Sequence, residues 1–167
     1  MIGDLAAEMA ALLQENGITP EEDDFSPDLL KQLPDKFILR PRDLKERRDF
    51  RNTRIFSIDP STARDLDDAL SIRPLGNGKY EVGVHIADVT HYVKPNTPLD
   101  RLARTRSTST YMVHKCIRML PPILSEVLCS LNAGEDRLAF SVLWTLDRDG
   151  VYTSFNLIFC PHANLQI

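Results

Sequence analysis

Apolar positions follow two rhythms along the chain, helical near the N-terminus and strand-like further on. Between residues 4 and 16, Leu5, Met9, Leu12 and Leu13 recur at helical spacing, and Asn16-Gly17 supplies a stop. Ser26 ahead of Pro27-Asp28-Leu29-Leu30 reads as an N-cap followed by proline at the first helical position, with Pro34 beyond the end. The acidic stretch Pro20 to Asp24 connects the two helices, and Pro41 opens a further helical turn predicted to reach Arg48. Residues 1–40 have little core of their own and read as an acidic helical linker.

From Ile55 the period changes to two. Ile55-Phe56-Ser57-Ile58 predicts a short strand. Asp68 to Pro74 and Lys79 to Ala87 predict a hairpin, joined by Leu75-Gly76-Asn77-Gly78, in which Asn-Gly takes positive φ. In the second arm Tyr80, Val82, Val84 and Ile86 alternate with Glu81, Gly83, His85 and Ala87, which predicts one buried face and puts His85 on the polar side as a structural residue. Asp88 to Val93 leaves the sheet. Leu99 to Ser107 reads as a helix with Leu99, Leu102 and Ala103 on one face and Asp100, Arg101, Arg104 and Arg106 on the other. Met119-Leu120-Pro121-Pro122 is extended, Ser125 to Ser130 a short helix, and Arg137 to Leu146 a strand that Asp149-Gly150 turns into Val151 to Phe159. The expected class is α+β, a mainly antiparallel sheet with flanking helices.

Composition narrows the class without naming a function. A chain of 167 residues holds one ordinary domain core or part of a larger one, and 43% hydrophobic with 26% charged residues excludes collagen-like and wholly disordered chains. No apolar run approaches the ~20 residues that span a bilayer. Met1-Ile2-Gly3-Asp4 lacks the basic start and apolar core of a signal peptide. Cys116, Cys129 and Cys160 are scattered, with no CxxC pairing, which favours reduced core thiols over zinc. The expectation is a soluble cytoplasmic protein with no membrane partner.

The net charge of −4 does not advertise nucleic acid, but its distribution is uneven. Residues 1–40 carry 3 basic and 9 acidic side chains, residues 41–54 carry 6 and 3, and residues 55–167 carry 11 and 12. The basic segment, Arg42, Lys45, Arg47, Arg48, Arg51 and Arg54, is either a solvated helix face laced with Asp43, Glu46 and Asp49 or a functional patch. It leads directly into the most acidic loop. Asp59, Asp65, Asp67 and Asp68 fall within ten residues, between Ile55-Phe56-Ser57-Ile58 and Ala69-Leu70-Ser71-Ile72.

Carboxylates held that close disfavour one another's ionisation. A turn rich in Asp explains one or two of them and four poorly. A calcium loop of the EF-hand kind needs alternating ligands, a central glycine and a distant Glu, and the loop has no glycine. A magnesium site for phosphoryl chemistry fits the hard oxygen donors, and two ions about 3.5–4 Å apart would activate a water and stabilise a leaving oxygen. Residue types alone leave the solvated loop and the magnesium site both open.

The run Asp59-Pro60-Ser61-Thr62-Ala63-Arg64-Asp65-Leu66-Asp67-Asp68-Ala69 resembles the signature of the RNase II/RNase R superfamily, the RNB catalytic domain. The likeness extends from about Phe37 to Gly150. It continues through Gly83-Val84-His85-Ile86-Ala87-Asp88-Val89, Arg106 to Tyr111, Met119-Leu120-Pro121, Leu128-Cys129-Ser130-Leu131-Asn132 and Asp136-Arg137-Leu138-Ala139-Phe140-Ser141-Val142. The segment up to Arg47-Arg48-Asp49 is most similar to the eukaryotic Dis3-like cytoplasmic branch. The resemblance implies processive, Mg²⁺-dependent 3′→5′ hydrolysis of single-stranded RNA to nucleoside 5′-monophosphates, in RNA decay. It implies that Asp59, Asp65, Asp67 and Asp68 bind metal, with Asp67 most sensitive for the chemical step. It also implies that Tyr111 stacks on a base near the 3′ end, and it allows Arg106 a backbone phosphate. DNA is not an expected substrate.

Other parts of the family pattern are missing. The RNA-gripping domains on either side and the second half of the RNB domain, with its late arginine motif, have no counterpart. The chain is therefore expected to comprise a linker (1–40), the N-terminal portion of the RNB domain (41–150) and a divergent tail (151–167) from truncation or a splice or gene-model artefact. On that reading it is inactive and marginally stable alone, exposing an apolar face and a sheet edge. The alternative is a catalytically dead, RNA-binding or regulatory relative.

Overall fold

A computed structural model describes residues 5–18, 25–45, 47–113 and 115–162, with 156–162 as backbone only. The predicted connector Pro20 to Asp24 and the last five residues of the tail lie outside the described residues. The chain divides into two compact units, Met1–Leu33 with Pro95–Pro121, and Pro34–Lys94 with Pro122–Ile167.

The first unit holds helix α1 (Leu5–Glu15), helix α2 (Pro27–Leu30), helix α4 (Pro98–Arg106) and a small ribbon of β4 (Thr110–Tyr111) and β5 (Cys116–Ile117). α1 ends as its sequence predicts: Gly17 takes φ +69°, and the Ile18 and Gly17 N–H groups reach back to the Leu13 and Gln14 carbonyls at 2.8 and 3.1 Å. Its buried stripe is narrower than the apolar spacing suggests: Met9 and Leu13 are buried, whereas Leu5 and Leu12 are exposed. Ser26 caps α2, accepting from the Leu29 N–H, and Thr97 caps α4, whose buried face is Leu99 and Ala103.

The second unit is built on a five-stranded antiparallel sheet. Its strands are β1 (Ile55–Phe56), β2 (Asp68–Gly76), β3 (Lys79–Ala87), β6 (Arg137–Leu146) and β7 (Tyr152–His162), in the order β1-β2-β3-β6-β7. The β2–β3 turn puts Asn77 and Gly78 at φ +50° and +72°, as Asn-Gly predicts. Helix α3 (Pro41–Leu44) stops four residues short of the predicted Arg48, because the arginines that follow turn toward partners on the sheet. β1 keeps two of its four predicted residues, and Ile58 lies exposed beyond it. Residues 123–128 coil as a π-helix, where the Cys129 N–H spans five residues to the Leu124 carbonyl at 2.9 Å.

The buried face of the sheet is not the one that the aliphatic pattern of β3 picks out. Directly paired residues share a face, and the buried rows are Ser71–Gly83–Leu143, Ala69–His85–Ser141 and Ala87–Ala139. Ile72 and Ile86 stand on the opposite, exposed face. The buried face is lined by small residues, and His85 is accommodated there because both ring nitrogens find partners. Nδ1 lies 2.7 Å from Ser141 Oγ and Nε2 lies 2.8 Å from Ser71 Oγ. The ring crosses the space that Gly83 leaves empty. A Cβ at Gly83 would stand 2.5 Å from Ser71 Oγ, 2.7 Å from His85 Nε2 and 2.8 Å from Leu143 Cδ2. Gly83→Ala is therefore expected to cost about 1–3 kcal/mol by overpacking, read as a lowered urea midpoint at unchanged slope.

Candidate functional site

The acidic loop runs from the end of β1 to the first residue of β2, and the fold holds its two ends differently. Asp59 follows β1 and is fixed only by the turn in which the Ala63 N–H meets the Pro60 carbonyl at 2.9 Å. Asp67 and Asp68 sit on the sheet: the Ala87 N–H meets the Asp67 carbonyl at 2.9 Å, and Asp68 pairs with Ile86. Between them, Leu66 is held at both of its peptide groups. Its N–H donates to Ser130 Oγ at 3.0 Å, and its carbonyl accepts from the Leu131 N–H at 2.9 Å. Ser130 Oγ also lies 2.9 Å from the Arg64 carbonyl and 3.1 Å from Asn132 Oδ1.

A buried arginine supports that clamp. Arg137 donates from Nε to the Ser130 carbonyl at 3.0 Å and from Nη2 to the Val127 carbonyl at 2.8 Å, and it pairs with Glu135. Its guanidinium also lies over the Phe37 ring, 5.6 Å from the centroid. A charge this deep is tolerated because its donors meet carbonyls and a carboxylate.

One of the four carboxylates stands apart. The carboxyl of Asp67 is raised above the ordinary range, first by lost hydration and then by the charges of Asp65, Asp68 and Asp59. Asp67 is nonetheless an exposed residue by its total surface, so the lost hydration is local to the carboxyl under the loop. Among the described residues Asp59, Asp67 and Asp68 form no ion pair, and no three His, Cys, Asp or Glu side chains already converge on one point as a metal cage. In donor chemistry and charge the set fits a divalent cation that prefers hard oxygen ligands.

The basic segment before the loop is largely paired within its own unit. Arg47 meets buried Asp88 at 2.5 Å, and the Thr90 hydroxyl donates to the same carboxylate at 2.5 Å. Burial pushes Asp88 up, but the Thr90 and Arg47 hydrogen bonds and the Arg47 charge outweigh it, and its carboxyl ends below the ordinary range. Arg48 lies over the Phe50 ring, 4.7 Å from the centroid, and Arg51 chelates Asp49 and approaches Asp136 at 3.7 Å. These arginines tie the segment to the sheet.

In the first unit, Tyr111 on β4 is 70% exposed. Arg106 is less available. Its guanidinium lies over the Phe25 ring at 4.4 Å and donates to the Arg118 carbonyl at 2.6 Å, so its charge is engaged in holding the end of α4. Neither Cys116 nor Cys129 is in a disulfide, and burial pushes Cys129 up to about 12.

The RNB domain matches residues 47–158, which include all four aspartates, Ser130 and Tyr111. The chain belongs to the RNB domain family. It is 57% identical over 150 residues to DIS3-like exonuclease 2 of Schizosaccharomyces pombe, a match covering 89% of this chain and 16% of that protein. It is 48% identical over 148 residues to Inactive exonuclease DIS3L2 of Arabidopsis thaliana, covering 88% of this chain and 14% of that protein. Mycoplasma genitalium RNase R in complex with ribose methylated single-stranded RNA superposes with a TM-score of 0.83 at 27% identity, over 98% of this chain and 25% of that one. The chain thus spans about one sixth of the length of the curated relatives it matches.

Within the RNB match, the side chains that support the loop are ones that the sequence pattern passes over. Ser130 reads as a helix end and Arg137 as the start of a strand. Ser130 acts across 64 residues of sequence and Arg137 through main-chain carbonyls, so no local spacing marks them.

Proposed function

We propose that this chain carries the metal-binding part of a Mg²⁺-dependent, processive 3′→5′ exoribonuclease that hydrolyses single-stranded RNA to nucleoside 5′-monophosphates in cytoplasmic RNA decay. The observation that carries the reading is the acidic loop, where lost hydration and then the charges of Asp65, Asp68 and Asp59 raise Asp67, and where hydrogen bonds fix the main chain at Leu66 and Asp67. Asp59, Asp65, Asp67 and Asp68 would hold the cation. Magnesium supplies charge neutralisation for a phosphodiester and a lowered pKa for water. Tyr111 offers a stacking face that any base fits, which suits a nuclease tolerant of sequence. Arg106 has a structural assignment from its Phe25 and Arg118 contacts, which leaves a phosphate contact to its remaining surface.

The competing reading is an RNA-binding or regulatory protein without catalysis; of two relatives at the same 48% identity, one is named an exonuclease and the other inactive. The presence of all four aspartates favours the enzyme. The test uses 5′-labelled single-stranded RNA and a full-length RNB protein in which this chain replaces the matching segment, because the 167 residues alone are expected to be inactive. The expected result is progressive shortening from the 3′ end with release of nucleoside 5′-monophosphates, stopped by chelation and restored by Mg²⁺. RNA binding without shortening would support the regulatory reading, and neither binding nor shortening would overturn both.

A further inference from the structure

Two fully buried serines of the second unit do different work. Ser141 bonds His85 inside the sheet, whereas Ser130 reaches across 64 residues of sequence to the loop that carries the aspartates. A hydroxyl has one proton and two lone pairs. Ser130 accepts the Leu66 N–H and points its own proton toward the Arg64 carbonyl or Asn132 Oδ1. With the Leu131 N–H on the Leu66 carbonyl, both peptide groups beside Leu66 are fixed. Asp65 and Asp67 flank Leu66, so the main chain on the Leu66 side of each cannot rotate without breaking one of these bonds. Ser130 is itself immobilised: Arg137 holds its carbonyl, and Asn132 donates onward to the Glu126 carbonyl at 3.4 Å.

We propose that Ser130 is a positioning residue for the acidic loop, setting the loop's affinity for a divalent cation by fixing the backbone between Asp65 and Asp67. This rests on the reading of the four aspartates as cation ligands. Carboxylates that repel one another spread when their backbone is loose, so a clamp that resists spreading lowers the cost of bringing them onto an ion. Groups that orient metal ligands from behind change affinity by about 10- to 100-fold when removed.

The test is calorimetric titration of Mn²⁺, a probe for the magnesium site, into the 167-residue chain and its variants, at a temperature where circular dichroism shows each to be folded. Ser130→Ala is expected to weaken Mn²⁺ binding about tenfold or more. Ser141→Ala removes an equally buried hydroxyl away from the loop, and is expected to lower the melting temperature while leaving Mn²⁺ affinity unchanged. Should Ser130→Ala be unfolded, Ser130→Cys, which keeps the volume and weakens the hydrogen bonds, is read by the same criterion. Equal Mn²⁺ affinity in wild type and the Ser130 variant, with Asp67→Asn still losing it, overturns the positioning role and leaves the metal reading standing. Absence of Mn²⁺ binding in wild type, or equal binding by Asp67→Asn, overturns the metal reading and with it this proposal.

Discussion

Asp67→Asn is expected to remove Mg²⁺-dependent RNA trimming while leaving the fold at least as stable as wild type. The two effects have opposite signs because they come from one cause. Asp67 is raised by lost hydration and by Asp65, Asp68 and Asp59, so its ionised form is disfavoured in the folded chain. A carboxyl whose folded pKa lies above its unfolded value contributes stability at low pH and loses it as pH rises through the folded pKa. At neutral pH its charge therefore works against folding, and asparagine relieves that repulsion. The same substitution removes a charged ligand from the proposed cation site. The loss of rate is expected to be about a hundredfold or more, equivalent to about 2.7 kcal/mol of transition-state stabilisation. The check pairs trimming of 5′-labelled RNA by a full-length RNB protein carrying this segment with thermal unfolding of the 167-residue chain in chelator. Undiminished trimming would sink the assignment of Asp67, and a large loss of thermal stability would sink the account of its pKa.

The features legible in the sequence are those whose cause is local. The Asn-Gly turn, the Ser26 cap, the Gly17 stop and the two strands that bracket the acidic loop each follow from residues a few positions apart. The acidic cluster was legible as a cation candidate for the same reason. What the pattern missed depends on distant partners. β3 buries Gly83, His85 and Ala87 rather than its valines, because Ser71 and Ser141 satisfy the imidazole and Gly83 leaves room for it. α3 ends early because Arg47 is drawn to Asp88. Ser130 gives no signal in its own neighbourhood, since the groups it holds are residues 64 and 66.

His85 gives the sheet an acid limit. The expected result is a loss of about 2 kcal/mol of unfolding free energy between pH 7 and pH 5, approaching about 3 kcal/mol near pH 4. Burial holds the folded imidazole down to about 4, against the opposing charge of Glu81. The neutral ring bonds one serine hydroxyl as donor and the other as acceptor, with Phe50 edge-on at 5.6 Å, so a second ring proton would meet a hydroxyl that must turn around to accept it. The unfolded chain protonates near pH 6.5. Stability from His85 is therefore complete above that value and erodes as pH falls toward 4. His91 is also lowered, first by burial, and adds in the same direction, so the wild-type slope alone does not isolate His85. His85→Gln does: it keeps polar groups at the site but cannot titrate in this window. Urea unfolding at pH 7 and pH 5 is expected to show the variant less stable than wild type at pH 7 and the gap closing by about 2 kcal/mol at pH 5. A gap of the same size at both pH values would mean that the folded imidazole takes up a proton as readily as the unfolded one, which contradicts the buried serine–imidazole–serine bridge.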